Sequence, residues 1–155
     1  MKYFLLIAGL LAGLAACDDD TQVCDVDTRT ELRAAFVYFR DSTDMERDTV
    51  FRKVTFGALN RDTLYRRQPG LTGLQFSLDR TADSSRFFFQ TDSTAAMDTI
   101  TFRYRRQPQF VSAGCGVAMY YHLDTILSTQ KVIKSIQINQ AAITTTNEKN
   151  ITLHF

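Results

Sequence analysis

Hydrophobic and polar residues alternate along most of this chain with a period of two. Leu74, Phe76 and Leu78 are interleaved with Gln75, Ser77 and Asp79. Ile100, Phe102 and Tyr104 are interleaved with Thr101, Arg103 and Arg105, and Ile151, Leu153 and Phe155 with Thr152 and His154. Val54, Phe56 and Ala58 oppose Lys53, Thr55 and Gly57. Val117, Met119, Tyr121 and Leu123 oppose Ala118, Tyr120 and His122. Successive side chains of an extended backbone point to opposite faces, so this period predicts half-buried strands. Leu32 to Phe39 and Phe87-Phe88-Phe89 are apolar on both faces, which predicts central strands.

No segment carries a long apolar stripe at helical spacing, and Thr, Phe, Tyr, Val and Ile dominate the periodic stretches. Turn residues punctuate them at Asp41 to Asp44, Asn60-Arg61-Asp62, Pro69-Gly70, Asp83-Ser84-Ser85, Pro108 and Asn147 to Asn150. Short strands with frequent turns predict an all-β fold: a single immunoglobulin-like or Greek-key β-sandwich of about eight strands. A small barrel is the alternative that pattern leaves open. Twelve Phe and six Tyr suffice to fill a layer between two sheets. The final periodic stretch runs to Phe155, so the C-terminal residues are expected in a sheet.

The first sixteen residues break the pattern. Lys2 precedes a run of apolar and small residues from Tyr3 to Leu14. A bilayer-spanning helix needs about 20 such residues, so the run suits a signal-peptide core rather than a span. Leu14-Ala15-Ala16-Cys17 resembles a bacterial lipobox, in which small residues fit the peptidase subsites and the cysteine thiol takes the lipid. The predicted organisation is a signal peptide over 1–16, an acylated acidic tether over 17–23 and a β-sandwich domain over 24–155. Lipidation at Cys17 would anchor the chain, since each buried methylene contributes about 0.8 kcal/mol and several acyl chains act together. Asp18-Asp19-Asp20 reads either as a solvated tether or as a sorting signal, because it resembles the surface-export signal of Bacteroidota lipoproteins. The expected location is the outer membrane, on its periplasmic face or at the cell surface.

Export changes the reading of the cysteines. With Cys17 lipidated, Cys24 and Cys115 remain, and an oxidising compartment favours a disulfide between them. The alternative is a reactive Cys115 within Ser112-Ala113-Gly114-Cys115-Gly116, which would need a base within hydrogen-bond reach.

Charge adds little. Lys and Arg number 18 against 17 Asp and Glu, and losing Lys2 with the signal leaves the two signs equal, so no field points to nucleic acid. One repeat concentrates cations: Tyr65-Arg66-Arg67-Gln68-Pro69 recurs as Tyr104-Arg105-Arg106-Gln107-Pro108. It reads either as two strands ending alike, with Arg guarding the edges and Pro stopping them, or as an anion site built by Arg66, Arg67, Arg105 and Arg106 at one end of the sandwich.

Candidate chemistry is sparse. His122 and His154 both fall opposite their strands' apolar faces, so solvated positions are expected. Neither has a zinc spacing, and no metal or other cofactor is expected. His122 and Asp124 share a strand face, a weak echo of a triad without its serine turn. No phosphate loop or calcium loop is present, and no catalytic residue stands out. Asp41-Ser42-Thr43, Asp48-Thr49-Val50, Asp62-Thr63-Leu64, Asp92-Ser93-Thr94, Asp98-Thr99-Ile100 and Asp124-Thr125-Ile126 resemble the O-glycosylation sequon of Bacteroidota. The plainer reading is that Asp-Thr opens strands.

Several stretches together resemble an uncharacterised lipoprotein family of Bacteroidota, the domain of unknown function numbered 6452. They are Val23-Cys24, Asp98-Thr99-Ile100-Thr101-Phe102-x-Tyr104, Phe110-Val111-Ser112-x-x-Cys115-Gly116, Ile133-x-x-Ile136-x-Ile138 and Asn150-Ile151-x-Leu153-x-Phe155. The resemblance covers about Cys24 to Phe155 and is structural: a cysteine pair and a strand pattern. It carries no catalytic or ligand residue. The expected function is therefore a non-enzymatic binding or accessory module of the envelope. Its partners would be the membrane through the N-terminal lipid and an envelope protein or anionic glycan. A structural subunit of an outer-membrane complex and a loop-based hydrolase are the alternatives.

Overall fold

The computed structural model describes Cys24 and residues 26–39, 46–146 and 148–155. The expected signal peptide over 1–16, Cys17, the expected acidic tether and the expected turn at Asp41 to Asp44, with the sequon-like Asp41-Ser42-Thr43, lie outside the described residues. Those described form eleven strands and no helix, arranged as two sheets in a sandwich-like all-β fold.

The first sheet is built around β1 (Leu32–Phe39). One edge of β1 pairs with β5 (Gly73–Phe76) and then β2 (Glu46–Asp48), and the other with β11 (Ile151–His154), which in turn pairs with β9 (Ser135–Ile138). The β1–β11 pairing is parallel and the others are antiparallel. Parallel neighbours need a long crossover, and here almost the whole domain lies between the two strands. The second sheet runs β10-β8-β7-β6-β3-β4, all antiparallel. Its strands are β3 (Val54–Ala58), β4 (Thr63–Gln68), β6 (Ser84–Gln90), β7 (Asp98–Ser112), β8 (Gly116–Ser128) and β10 (Ala142–Ile143). The two stretches apolar on both faces are indeed interior strands, β1 and β6.

Aromatic rings fill the space between the sheets in two groups. Phe36, Phe51, Phe89 and Phe155 meet edge to face or tilted, with Phe51 and Phe155 centroids 4.7 Å apart. Phe56, Phe76, Phe87 and Phe102 form the other, with Phe56 stacked on Phe87 at 5.1 Å. Offset and edge contacts of this kind suit the ring quadrupole. Gly73 marks the closest approach of β5 to β1, because a Cβ there would run into the Ala34 carbonyl oxygen.

The connection from β8 to β9 carries the chain from the second sheet to the first. It is clamped by Asp98, the first residue of β7. Asp98 is fully buried, and its carboxylate accepts from the Thr129 hydroxyl at 2.6 Å and from the Lys131, Val132 and Ile133 amides at 2.7–2.9 Å. Burial works to raise its pKa. The four donors outweigh that, and the net value lies below the ordinary 3.8.

Four expectations need correction. His154 is buried, because β11 lies between β1 and β9 and all four of its side chains are covered. Pro108 does not stop its strand. It sits inside β7 opposite Met119, where β6 has already ended and β7 has only one neighbour, an edge position that tolerates proline. Ser84 and Ser85 already belong to β6, so the turn before that strand comes earlier. The apolar face of β8 also departs from its expectation: Val117 is exposed and Ala118 on the opposite face is buried, where the strand runs past the end of β6. Beyond Leu123, Asp124 is an extra residue between the pairs Arg103–Thr125 and Tyr104–Leu123.

Candidate functional site

A groove of about 770 Å³ opens at one end of the sandwich. Its walls are the β3–β4 turn, the segment that follows β5 and the start of β6. Asn60 adopts a left-handed conformation at the turn (φ 64°), one that asparagine tolerates well, and this brings Arg61 over the opening. Arg61 reaches Asp79 on the opposite wall at 2.9 Å. Ala58, Leu64, Leu78 and Phe87 supply apolar lining, while Asp62, Ser77, Ser84 and Arg86 add polar groups.

The wall carrying Asp79 is held by a closed ring of hydrogen bonds. The Asp79 amide donates to Ser85 Oγ at 2.9 Å, Ser85 Oγ meets Tyr104 Oη at 2.7 Å, and Tyr104 Oη donates to the Asp79 carbonyl at 2.9 Å. The Asp79 carboxylate accepts from the Thr81 hydroxyl at 2.7 Å and the Thr81 amide at 2.8 Å. Those bonds, with the nearby Arg61 charge, hold its pKa below the ordinary carboxylate value. Burial pushes the Tyr104 and Tyr121 hydroxyls up, so both stay protonated near neutrality. Chemically the groove offers two guanidiniums, two carboxylates, hydroxyls and an apolar floor, a set suited to a polar ligand with an apolar face. A carboxylate kept ionised beside a guanidinium is poorly suited to act as a general acid.

The four arginines of the repeat are not brought together. Tyr65 lies level with Phe56, Phe56 with Phe89 and Phe89 with Asp98, so Arg66 and Arg67 sit at the far end of the sheet from Arg105 and Arg106. Three strand spacings separate β4 from β7, and the offset along the strands is at least about 25 Å. The two copies also differ locally. Arg67 lies at a bulge with φ 49°, whereas Arg105 and Arg106 continue a regular ladder against β8. Arg105 donates to Asp124 at 3.1 Å and to His122 Nδ1 at 3.3 Å. Arg106 donates to Asp83 at 2.6 Å and to the Arg80 carbonyl at 3.2 Å, and the Asp83 bond raises its pKa further. A single four-arginine anion site is therefore replaced by two separate pairs, one of them engaged with carboxylates.

His122 and Asp124 do lie close, at 3.6 Å, but the carboxylate is turned to Arg105, and the separation exceeds a hydrogen bond. Among the described residues no group of three or more His, Cys, Asp or Glu could hold a metal ion, and no helix is long and apolar enough to cross a membrane. Cys24 and Cys115 form a disulfide with Cα atoms 4.8 Å apart. Cys115 lies in the turn joining β7 to β8, so the bond ties the start of the described chain to the tip of that hairpin.

The groove itself was not legible in the sequence. Asn60-Arg61-Asp62 reads only as a turn, and nothing in the spacing of Asp79, Ser85 and Tyr104 announces that they converge. The nearest signal is the acid-and-hydroxyl run Asp79-Arg80-Thr81, which breaks the alternation after Leu78.

No curated protein matches the chain, and no solved structure does. The profile of a family of unknown function, DUF6452, matches residues 53–155, from just before β3 through β11, and on that match the chain belongs to this family.

Proposed function

We propose that the protein is a lipid-anchored binding module of the cell envelope, acting without catalysis and taking its ligand or partner at the end groove. The envelope half of this reading rests on the Cys24–Cys115 disulfide, since such bonds persist in oxidising compartments. The Leu14-Ala15-Ala16-Cys17 sequence and the apolar run before it supply the anchor. The binding half rests on the groove: it is concave, its lining mixes apolar and polar groups, and Arg61 bridges its mouth to Asp79. An envelope glycan bearing carboxylate or phosphate suits that lining, with a guanidinium for the anion and Leu78 and Phe87 beneath the sugar face. The lowered pKa of Asp79 argues against that carboxyl as a general acid.

Calorimetric titration of anionic envelope oligosaccharides tests the groove. Ser84→Trp should fill it and Arg61→Ala should remove the bridging cation, each weakening binding at least tenfold. Replacing Arg66, Arg67, Arg105 and Arg106 with Gln should leave it unchanged. A ligand lost only in the four-arginine variant, or bound equally by every variant, would overturn the groove as the site.

A further inference from the structure

The β7–β8 hairpin extends past the end of the sandwich. β6 pairs with β7 only as far as Arg103, whereas β7 and β8 stay paired out to Ser112 and Gly116. On the ribbon, Phe110 and Val117 face each other as direct cross-strand partners and therefore share one face. They are 65% and 51% exposed. Tyr104 and Tyr121 are buried where the other sheet covers the same two strands, so the apolar character of the hairpin outruns its cover. Val26, another exposed apolar residue, lies two positions from Cys24, whose disulfide partner is in the hairpin's own turn. From Gln107 through Tyr121 the chain carries no Asp, Glu, Lys, Arg or His, fifteen residues in a sequence that is 23% charged.

Covalent geometry says what this surface meets. Cys17 is seven residues before Cys24, and an extended chain spans about 3.6 Å per residue at most, so the lipid-bearing cysteine lies within about 25 Å of the disulfide. That disulfide joins the hairpin tip. Whatever direction the rest of the domain takes, the tip cannot leave the neighbourhood of the bilayer that holds Cys17.

We propose that the β7–β8 tip is the membrane-facing end of the protein, with Phe110 and Val117 seated in the headgroup–acyl boundary of that same bilayer. The proposal rests on the lipid-anchored reading above and adds an orientation to it. Aromatic and aliphatic side chains on a stretch that itself carries no charge suit that boundary. The charged Asp27 and Arg29, on the segment tied alongside by the disulfide and by Thr30, would sit at headgroup level. The open edge of β7 sets the depth, because its backbone groups must stay where water or headgroups can bond them. The end groove lies at the same end of the second sheet, with Ser84 and Ser85 level with Arg103 and Phe102, about seven residues of hairpin short of Phe110.

The chain has no tryptophan, so a single introduced one reports its own surroundings. The full-length protein, processed in its host and reconstituted in phosphatidylethanolamine–phosphatidylglycerol vesicles, would be compared as Val117→Trp, Phe110→Trp and Leu127→Trp. Leu127 lies on the same strand with the same 51% exposure as Val117, roughly 30 Å farther along. The expected result is blue-shifted emission from positions 110 and 117, lost when lipids brominated near the headgroup are included, and water-like, unquenched emission from position 127. Vesicle flotation separates the two claims. A chain that does not float overturns the anchored reading and this orientation with it. A chain that floats with all three tryptophans equally unquenched overturns the orientation alone. So does a blue shift at 110 and 117 without lipid quenching, because a second copy or another protein would then cover the pair.

Discussion

At the scale of single residues, Asp98 does the most. One carboxylate satisfies a hydroxyl and three consecutive amides, fixing the crossover between the sheets. Hydrogen bonds to a charged acceptor contribute about 1.5–3 kcal/mol each, and buried donors left unmet cost a similar amount. Asp98→Ala should therefore lower unfolding stability by about 3 kcal/mol or more, read as a shift of the urea midpoint. The folded-state pKa lies below the unfolded value near 3.8, so this contribution is complete above that value and is lost as pH falls through the folded pKa. Wild type should lose stability relative to Asp98→Ala as acid is added below about pH 4. Parallel pH profiles for the two would contradict the role. The sequence marks Asp98 only as the opening of a strand or a sequon. Its partners lie more than thirty positions away, and no local pattern encodes them. His154 has the same lesson in another form: alternation assigns it a face, but only the neighbouring strands decide whether that face is covered.

At the scale of elements, period-two patterning located the strands well because side-chain burial repeats with the pleat. It could not anticipate the bulge at Asp124, since an extra residue changes the phase without changing composition. Nor could it anticipate that Pro108 sits mid-strand, because its tolerance depends on β6 having ended. The parallel union of β1 with β11 is a long-range choice that neither strand advertises. β5 illustrates how tightly such choices are packed. Gly73→Ala would set a methyl against the Ala34 carbonyl and wedge β5 from β1. Overpacking of this kind costs about 1–3 kcal/mol, so the thermal midpoint should fall, and an unchanged midpoint would show that the two strands part without cost.

At the scale of the whole molecule, the fold keeps apart what the repeat suggested as one site. The repeated Tyr-Arg-Arg-Gln-Pro segments end on opposite parts of one sheet, while Arg61, Asp79, Ser85 and Tyr104 gather from distant stretches around one groove. The cysteines could be read earlier because their logic is arithmetic: three thiols, one in a lipidation sequence, leave two to pair. The resulting crosslink closes a separation of 91 residues, which in the chain-entropy account contributes about 4–5 kcal/mol. In the lipid-anchored reading proposed above, it also couples Cys17 to the hairpin tip, so that lipid, tether and fold would act as one mechanical unit. The most direct measurement is the intact mass of the protein extracted from its own envelope, taken after alkylation with and without prior reduction. The account predicts a chain beginning at Cys17 that carries acyl groups, with Cys24 and Cys115 taking up the alkylating agent only after reduction. A chain that retains residues 1–16, a bare Cys17, or thiols at 24 and 115 that react without reduction would contradict it.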